Sequence, residues 1–107
     1  MKNEITFWSI LELKLKTGTA REAADAHTKR RAIEECAETV SGFVYGETIV
    51  STEDPKLMLV ICGWENEAAF EEWQQSPVRA KQTSDLAPLI DADAKESKFS
   101  RYHKVSR

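Results

Sequence analysis

The segment from Lys56 to Glu65 limits the possible folds of this chain most strongly, because it is apolar on both faces of a predicted strand. Side chains of a strand point alternately to its two faces. One face would carry Leu57, Leu59 and Ile61. The other would carry Met58, Val60, Cys62 and Trp64. Both faces of the sheet must therefore be covered, since an uncovered one would be a large exposed apolar patch.

The first half of the chain predicts a strand followed by a helix. Leu11 to Lys16 alternates apolar with charged residues, which is typical of a strand with one solvated face. Thr19 and Glu22 have the spacing of a capping box that begins a helix. The apolar stripe of that helix comprises Ala23, Ala26, Ile33, Ala37 and Val40. We expect one long helix that ends at Ser41-Gly42.

The second half predicts a hairpin, a helix in two parts and a last strand. Phe43 to Thr52 is rich in β-branched and aromatic residues, and a polar turn leads from it into the strand that starts at Lys56. Asn66 is suited to cap a helix over 67–75, and Ser76-Pro77 begins a further stretch that Pro88 ends. Residues 95–105 are predicted to form the last strand, with Phe99 and Tyr102 on opposite faces.

The resulting order is βαββαβ, which predicts a ferredoxin-like α+β domain with an antiparallel sheet. At 107 residues and 41% hydrophobic content, the chain is expected to form a single domain over 1–107. Its helices would cover only one side of a four-stranded sheet. A second copy of the chain is the simplest cover for the other side, so we expect a homodimer that builds a dimeric α+β barrel. An internal cavity under loops is the alternative, although so short a chain has little loop to cover one.

Charge and hydropathy exclude several classes of partner. The chain has 15 Lys and Arg against 18 Asp and Glu, with the two signs interspersed, which argues against binding to nucleic acid. No apolar run is long enough for a membrane helix or a signal peptide, so we expect a cytoplasmic protein that does not bind membranes. Cys36 and Cys62 lack CxxC spacing and are predicted to be buried thiols. No metal site is predicted.

Few residues suggest chemistry by their spacing alone. The sequence lacks a glycine-rich phosphate loop, an HExxH motif and a GxSxG motif. His27 lies beside the apolar stripe of the first helix, where a packed histidine and a functional base or ligand are both compatible with the pattern. Trp64 and Trp73 are expected near one end of the sheet. Trp73 precedes a polar stretch that includes Arg79, so it suits either the core or the mouth of a cavity.

One ordered pattern of residues resembles a known family. It consists of Gly42-Phe43, Ser51-x-x-Asp54-Pro55, Trp64-Glu65 and Ala69-Phe70-x-x-Trp73-x-x-Ser76. The pattern resembles the antibiotic biosynthesis monooxygenase family, a branch of the dimeric α+β barrel superfamily, over almost the whole chain. The resemblance implies the same fold and a small-molecule site, but the family hosts several activities on one scaffold.

One branch of that family degrades haem with an Asn on the first strand, a Trp on the second helix and a His ten residues later. Trp73 matches the Trp, but Leu11 stands at the position of the Asn and Thr83 at that of the His. A threonine hydroxyl does not replace a neutral imidazole as an iron ligand. These departures argue against haem degradation.

The other branch implies a cofactor-independent monooxygenase that uses dioxygen on anthrone-like or hydroquinone-like aromatics. On this interpretation the catalytic residues are Trp73, Arg79 and His27, and no cofactor is required. The predicted substrate-binding residues are Trp64, Leu11, Thr83 and Trp8. The alternative from another class is a dimer that binds a small hydrophobic ligand without turnover.

Overall fold

A computed structural model describes residues 3–106, which contain four strands and four helices. In chain order these are β1 (Phe7–Lys14), α1 (Ala20–Lys29), α2 (Ala32–Thr39), β2 (Phe43–Val50), β3 (Leu57–Trp64), α3 (Glu67–Gln74), α4 (Pro77–Leu86) and β4 (Lys98–His103). The sheet has the strand order β2-β3-β1-β4, and each neighbouring pair is antiparallel. This confirms the predicted ferredoxin-like α+β fold, with each of its two helical segments divided into two helices.

The register of the sheet aligns one residue of each strand in a row across it. Thr48 of β2 pairs with Val60 of β3, Val60 pairs with Leu11 of β1, and Leu11 pairs with Phe99 of β4. We call these four residues the cross-strand row. Because neighbouring strands lie about 4.8 Å apart, the row spans about 14 Å from Thr48 to Phe99.

The predicted helix starts are confirmed by their capping hydrogen bonds. The Thr19 hydroxyl accepts from the Glu22 backbone N–H at 3.2 Å, and the Thr19 N–H donates to the Glu22 carboxylate at 2.9 Å. Asn66 accepts from the N–H of Ala69 at 2.9 Å. Ser76 caps α4 in the same way, and Pro77 is its first residue. These caps satisfy N–H groups that the first turn of a helix leaves without an intrahelical acceptor.

The prediction of one long first helix was wrong, because the helix is interrupted between α1 and α2. Arg31 adopts a left-handed conformation with φ 57° and ψ 39°, which no helix continues through. Contacts from α4 hold this break: Arg30 Nε donates to Asp85 at 3.0 Å, and Gln82 Nε2 donates to the Ala32 carbonyl at 3.0 Å.

The break also changes which residues of the second half-helix face the core. Ala32 and Cys36 are buried, whereas Ala37, which was predicted on the buried stripe, is exposed. The last strand is likewise shorter than predicted, because 95–97 belong to the turn that precedes β4. In that turn the Ser97 hydroxyl accepts from the backbone N–H of Lys14 at 3.0 Å.

The two faces of the sheet have different surroundings. One face packs against the helices and carries the largest buried side chains, which include Phe7, Met58 and Trp64. The opposite face, which we call the open face, has no helix on it within residues 3–106. Its apolar and aromatic members are Trp8, Ile10, Tyr45, Ile49, Leu57, Leu59, Ile61 and Tyr102. The prediction that the central strand is apolar on both faces is therefore confirmed.

Residues 3–106 include no helix with the length and hydropathy that crossing a membrane requires.

Candidate active site

A cavity of about 450 Å³ lies between the helices and the sheet. Residues of β1 and β3 form its floor, all four helices contribute to its walls, and the segment between α4 and β4 closes one end. Six of the seven predicted site residues line this cavity: Leu11, His27, Trp64, Trp73, Arg79 and Thr83. The fold thus brings together residues that are up to 72 positions apart in the sequence, from Leu11 to Thr83.

Trp8 is the predicted site residue that the fold places elsewhere. Its side chain lies on the open face, where its ring is 6.4 Å from that of Tyr45 in an edge-on arrangement. Strand alternation explains this position, because Leu11 faces the cavity and Trp8 differs from it by an odd number of residues.

The floor of the cavity is rigid at Trp64. This side chain is only 1% exposed and packs edge-on against Phe43 and Phe70, with ring centroids 5.5 and 5.6 Å away. Its indole N–H donates to the Ser9 hydroxyl at 3.0 Å. Trp64 therefore belongs to the core and also presents an apolar surface to the cavity. Phe70 beside it is buried in the core.

His27 projects from α1 into the cavity wall. Its Nδ1 lies 3.2 Å from the hydroxyl of Thr48, the first member of the cross-strand row. Burial lowers the pKa of His27 below its usual value, while the nearby Glu34 carboxylate partly opposes that shift. The imidazole is therefore neutral at pH 7. When Nδ1 carries the proton and donates to Thr48, Nε2 is left as a proton acceptor.

Trp73 lies on α3, where it belongs to the core and also to the cavity, the two positions that its sequence context suggested. It is half-buried, packs against the aromatic core and also lines the cavity. Within residues 3–106, its indole N–H is not fully buried and donates to no protein acceptor. No protein hydrogen bond therefore competes for that N–H.

Arg79 and Thr83 lie one turn apart on α4. The guanidinium carbon of Arg79 is 5.8 Å from the ring centroid of Phe99, at the other end of the cross-strand row from His27. This is the geometry of a cation–π contact. The Thr83 hydroxyl donates to the Arg79 backbone carbonyl at 3.1 Å, so it is used by the helix itself.

Gln82 is a cavity residue that the sequence analysis missed. It is 7% exposed, and its amide nitrogen donates to the Ala32 carbonyl at 3.0 Å and to the Glu35 carboxylate at 2.9 Å. The hydrogen bond from Gln82, followed by the charge of Arg30, lowers the pKa of Glu35. Gln82 falls between Arg79 and Leu86 at i, i+3 and i+7, and this helical spacing was the available signal for its position.

The two cysteines are unreactive parts of the cavity wall. Burial raises the pKa of Cys62 to about 12 and raises that of Cys36 as well. Both side chains therefore remain thiols at neutral pH, and the thiolate is the nucleophilic form. Cys36 is buried as predicted, whereas Cys62 is only partly buried.

The site has the means to bind an apolar molecule and to move a proton. Apolar side chains form most of its lining, His27 offers a neutral base, and Trp73 and Arg79 carry N–H donors. Among residues 3–106, no cluster of three or more His, Cys, Asp or Glu has the geometry to hold a metal ion. Leu11 and Thr83 both line the cavity, and neither side chain supplies an imidazole nitrogen as a ligand for haem iron.

A family model and several solved structures match this chain. The model described as antibiotic biosynthesis monooxygenase matches residues 7–81. Among solved structures, the monooxygenase ActVA-Orf6 of Streptomyces coelicolor, in complex with nanaomycin D, is similar with a TM-score of 0.74 and 16% identity, over 96% of this chain and 90% of that one. SnoaB, a cofactor-independent oxygenase of Streptomyces nogalater, has a TM-score of 0.73 and 14% identity, over 97% of each chain.

A third similar structure is PA3566 of Pseudomonas aeruginosa, with a TM-score of 0.67 and 16% identity over 96% of this chain and 97% of that one. No curated protein sequence matches the chain. At such low identities, the structural likeness establishes the fold, and the family model establishes the family.

Proposed function

The chain belongs to the antibiotic biosynthesis monooxygenase family, and from that membership we propose that it is a cofactor-independent monooxygenase of small or polycyclic aromatic substrates. The substrate is an anthrone-like or hydroquinone-like ring, and the co-substrate is dioxygen. One observation carries the proposal: a largely apolar cavity joins a neutral histidine to two N–H donors, at residues the sequence had already singled out.

The chemistry requires little of the protein. An electron-rich phenolate or carbanion transfers an electron to dioxygen directly, so the site must bind the ring, remove a proton and stabilise the anion. For an anthrone, the methylene loses two hydrogens and becomes a carbonyl. One oxygen atom enters the product, and the other leaves as water with those two hydrogens.

Each of these tasks has a residue in the cavity. We assign proton removal to His27, whose neutral ring lies in the wall. Leu11 and Trp64 provide apolar surface for the ring at the floor. The Trp73 indole and the Arg79 guanidinium supply donors to the anion that forms, and such donors act most strongly in a site shielded from water.

The experiment that tests this proposal measures oxygen consumption by purified, metal-stripped protein with a panel of anthrones and hydroquinones. We expect uptake above the autoxidation rate of at least one substrate. A separate arm adds haem and a reductant, and we expect no tight stoichiometric complex with a Soret band. If folded protein gave no oxygen uptake above autoxidation with any of these substrates, the result would contradict the oxygenase. It would favour a domain that binds a ligand without turnover.

We also propose that the working form is a homodimer joined through the open face. Tyr45 and Ile49 on this face are 43% and 39% exposed in the single chain, although both are large and apolar or aromatic. With the helices confined to the opposite face, burial of this surface by a second copy would remove a contiguous apolar patch from water.

A charge in the middle of the open face should therefore prevent dimerisation. Ile61 pairs with Ile10 and Glu47, so Ile61→Lys leaves the new charge facing Glu47 in the separated chain and buries it in the dimer. We expect sedimentation to show a dimer for the wild type and a folded monomer for Ile61→Lys. The control Ala37→Lys adds the same charge at an exposed helix position and should remain dimeric. A wild-type monomer, or a dimer that survives Ile61→Lys, would contradict this interface.

A further inference from the structure

The charges around the cavity are distributed unevenly, and Arg79 dominates one end. Arg79 and Asp91 are the formally charged residues among the described cavity-lining residues. Asp91 accepts from the Thr17 hydroxyl at 3.0 Å, and its backbone carbonyl accepts from the N–H of Lys16 at 2.7 Å. Lys16 lies five residues beyond Leu11 along the chain, so the backbone of Asp91 lies about 16 Å along the strand direction from the cross-strand row.

Arg79 has no carboxylate partner within residues 3–106. Its guanidinium lies over the ring of Phe99, and the residue is only half-buried. A guanidinium keeps its positive charge throughout the physiological pH range and presents a planar fork of N–H donors that fits a carboxylate. In an otherwise apolar cavity, such an unneutralised cation favours an anionic ligand group.

Arg101 shows that an unpaired arginine is not the general rule in this chain. Its guanidinium carbon lies 5.1 Å from the ring centroid of Phe70, so it makes the same type of ring contact as Arg79. Arg101, however, also donates to the Glu71 carboxylate at 2.9 Å and lies 3.8 Å from Glu67. Its charge is therefore matched by protein carboxylates, whereas that of Arg79 is not.

The cross-strand row connects Arg79 to the proposed base. His27 contacts Thr48 at one end of the row, and Arg79 lies over Phe99 at the other. Val60 and Leu11 lie between them and both face the cavity. The cavity is thus an apolar floor with a proton acceptor at one end and a cation at the other.

From this arrangement we propose that the ligand is an aromatic acid: its ring lies over Leu11 and Val60, its carboxylate binds Arg79, and its acidic C–H or O–H faces His27. This proposal rests on the proposed function, because it specifies the substrate class of the same site. With a substrate that carries such a carboxylate, Arg79 binds that permanent charge, and the Trp73 indole alone stabilises the anion that forms during the reaction.

The test is a binding measurement that involves no oxidation. Isothermal titration calorimetry under anaerobic conditions would compare 6-hydroxy-2-naphthoate, which has a phenol and a carboxylate at opposite ends, with the uncharged 6-hydroxy-2-naphthamide. We expect the wild type to bind the acid about tenfold or more tightly than the amide, because the charge-assisted bidentate pair is lost in the amide. Arg79→Gln should reduce that preference to within about twofold, through weaker binding of the acid. Arg79→Lys should keep part of the preference. The matched control Arg101→Gln should keep all of it.

Equal affinity of the wild type for the two probes, an acid preference that survives Arg79→Gln, or no binding of either probe would overturn the proposal. The failure of the oxygenase proposal has a different signature. An Arg79-dependent acid preference without oxygen uptake on any quinol would leave the aromatic-acid site in place and remove the reaction. Oxygen uptake on quinols, together with equal affinity of the wild type for the acid and the amide, would do the reverse.

Discussion

Replacing His27 with glutamine should lower kcat for quinol-dependent oxygen consumption by about 10²- to 10⁴-fold, the usual contribution of a positioned general base. Glutamine preserves much of the size of the side chain and its ability to hydrogen-bond with Thr48, but it does not accept a proton at neutral pH. Circular dichroism and sedimentation should be unchanged, which would separate a loss of chemistry from a loss of folding.

The other described histidine provides the control. His103 has a side chain that is 71% exposed and lies on β4 near Glu67, outside the cavity lining. His103→Gln should therefore keep the wild-type rate. Wild-type activity in His27→Gln would remove His27 from the mechanism and leave the base unassigned.

The pH dependence of the wild type gives a second test of the same role. A base must be deprotonated to act, and burial lowers the pKa of His27, so activity should fall only in acid, with a midpoint below pH 6.5. The free energy of unfolding should change with pH in the same direction as the activity. Below pH 6.5 the unfolded chain binds a proton at this residue more readily than the folded one, so the free energy of unfolding should decrease as the pH falls from 6.5 through the folded pKa.

Replacing Trp64 with alanine should lower the free energy of unfolding by about 3–5 kcal/mol, the range for truncating a fully buried aromatic residue. Trp64 is 1% exposed and joins β3 to the ring of Phe43 from β2 and to that of Phe70 from α3. Its loss would leave a void in the aromatic core and the Ser9 hydroxyl without its donor. Urea unfolding in the Ile61→Lys background would measure this without a contribution from dimer dissociation.

A double-mutant cycle would separate packing from the hydrogen bond. Trp64→Phe keeps a large ring and removes the N–H, Ser9→Ala removes the acceptor, and the coupling between them should be about 0.5–1.5 kcal/mol. A loss below about 1 kcal/mol in Trp64→Ala would be far under the range for a buried tryptophan. It would mean that the core is not organised around this side chain.

The features that the sequence predicted well depend on residues close together in the chain. Caps such as Thr19 with Glu22, and Asn66 with Ala69, join residues three positions apart, so their hydrogen bonds follow from local spacing. Strand alternation placed Leu11 on the face that lines the cavity. The same alternation placed Trp8 on the opposite face, so its expected part in the site conflicted with a pattern the sequence already contained.

The features that the sequence did not predict depend on tertiary contacts. Neither glycine nor proline marks the interruption of the helix at Arg31. Gln82 and Asp85, about 50 residues away in the chain, stabilise it through hydrogen bonds to the residues on either side. The polar contact of His27 with Thr48 likewise joins residues from different elements. Only the assembled fold shows that His27 and Arg79 occupy opposite ends of one cavity.

The proposed function requires that the protein inserts one atom of dioxygen into an aromatic substrate without a cofactor. The decisive measurement is mass spectrometry of the product formed under ¹⁸O₂ by metal-stripped protein. We expect one ¹⁸O atom in the new carbonyl group and the second in water. A product with no ¹⁸O, or one with both atoms, would contradict a monooxygenase.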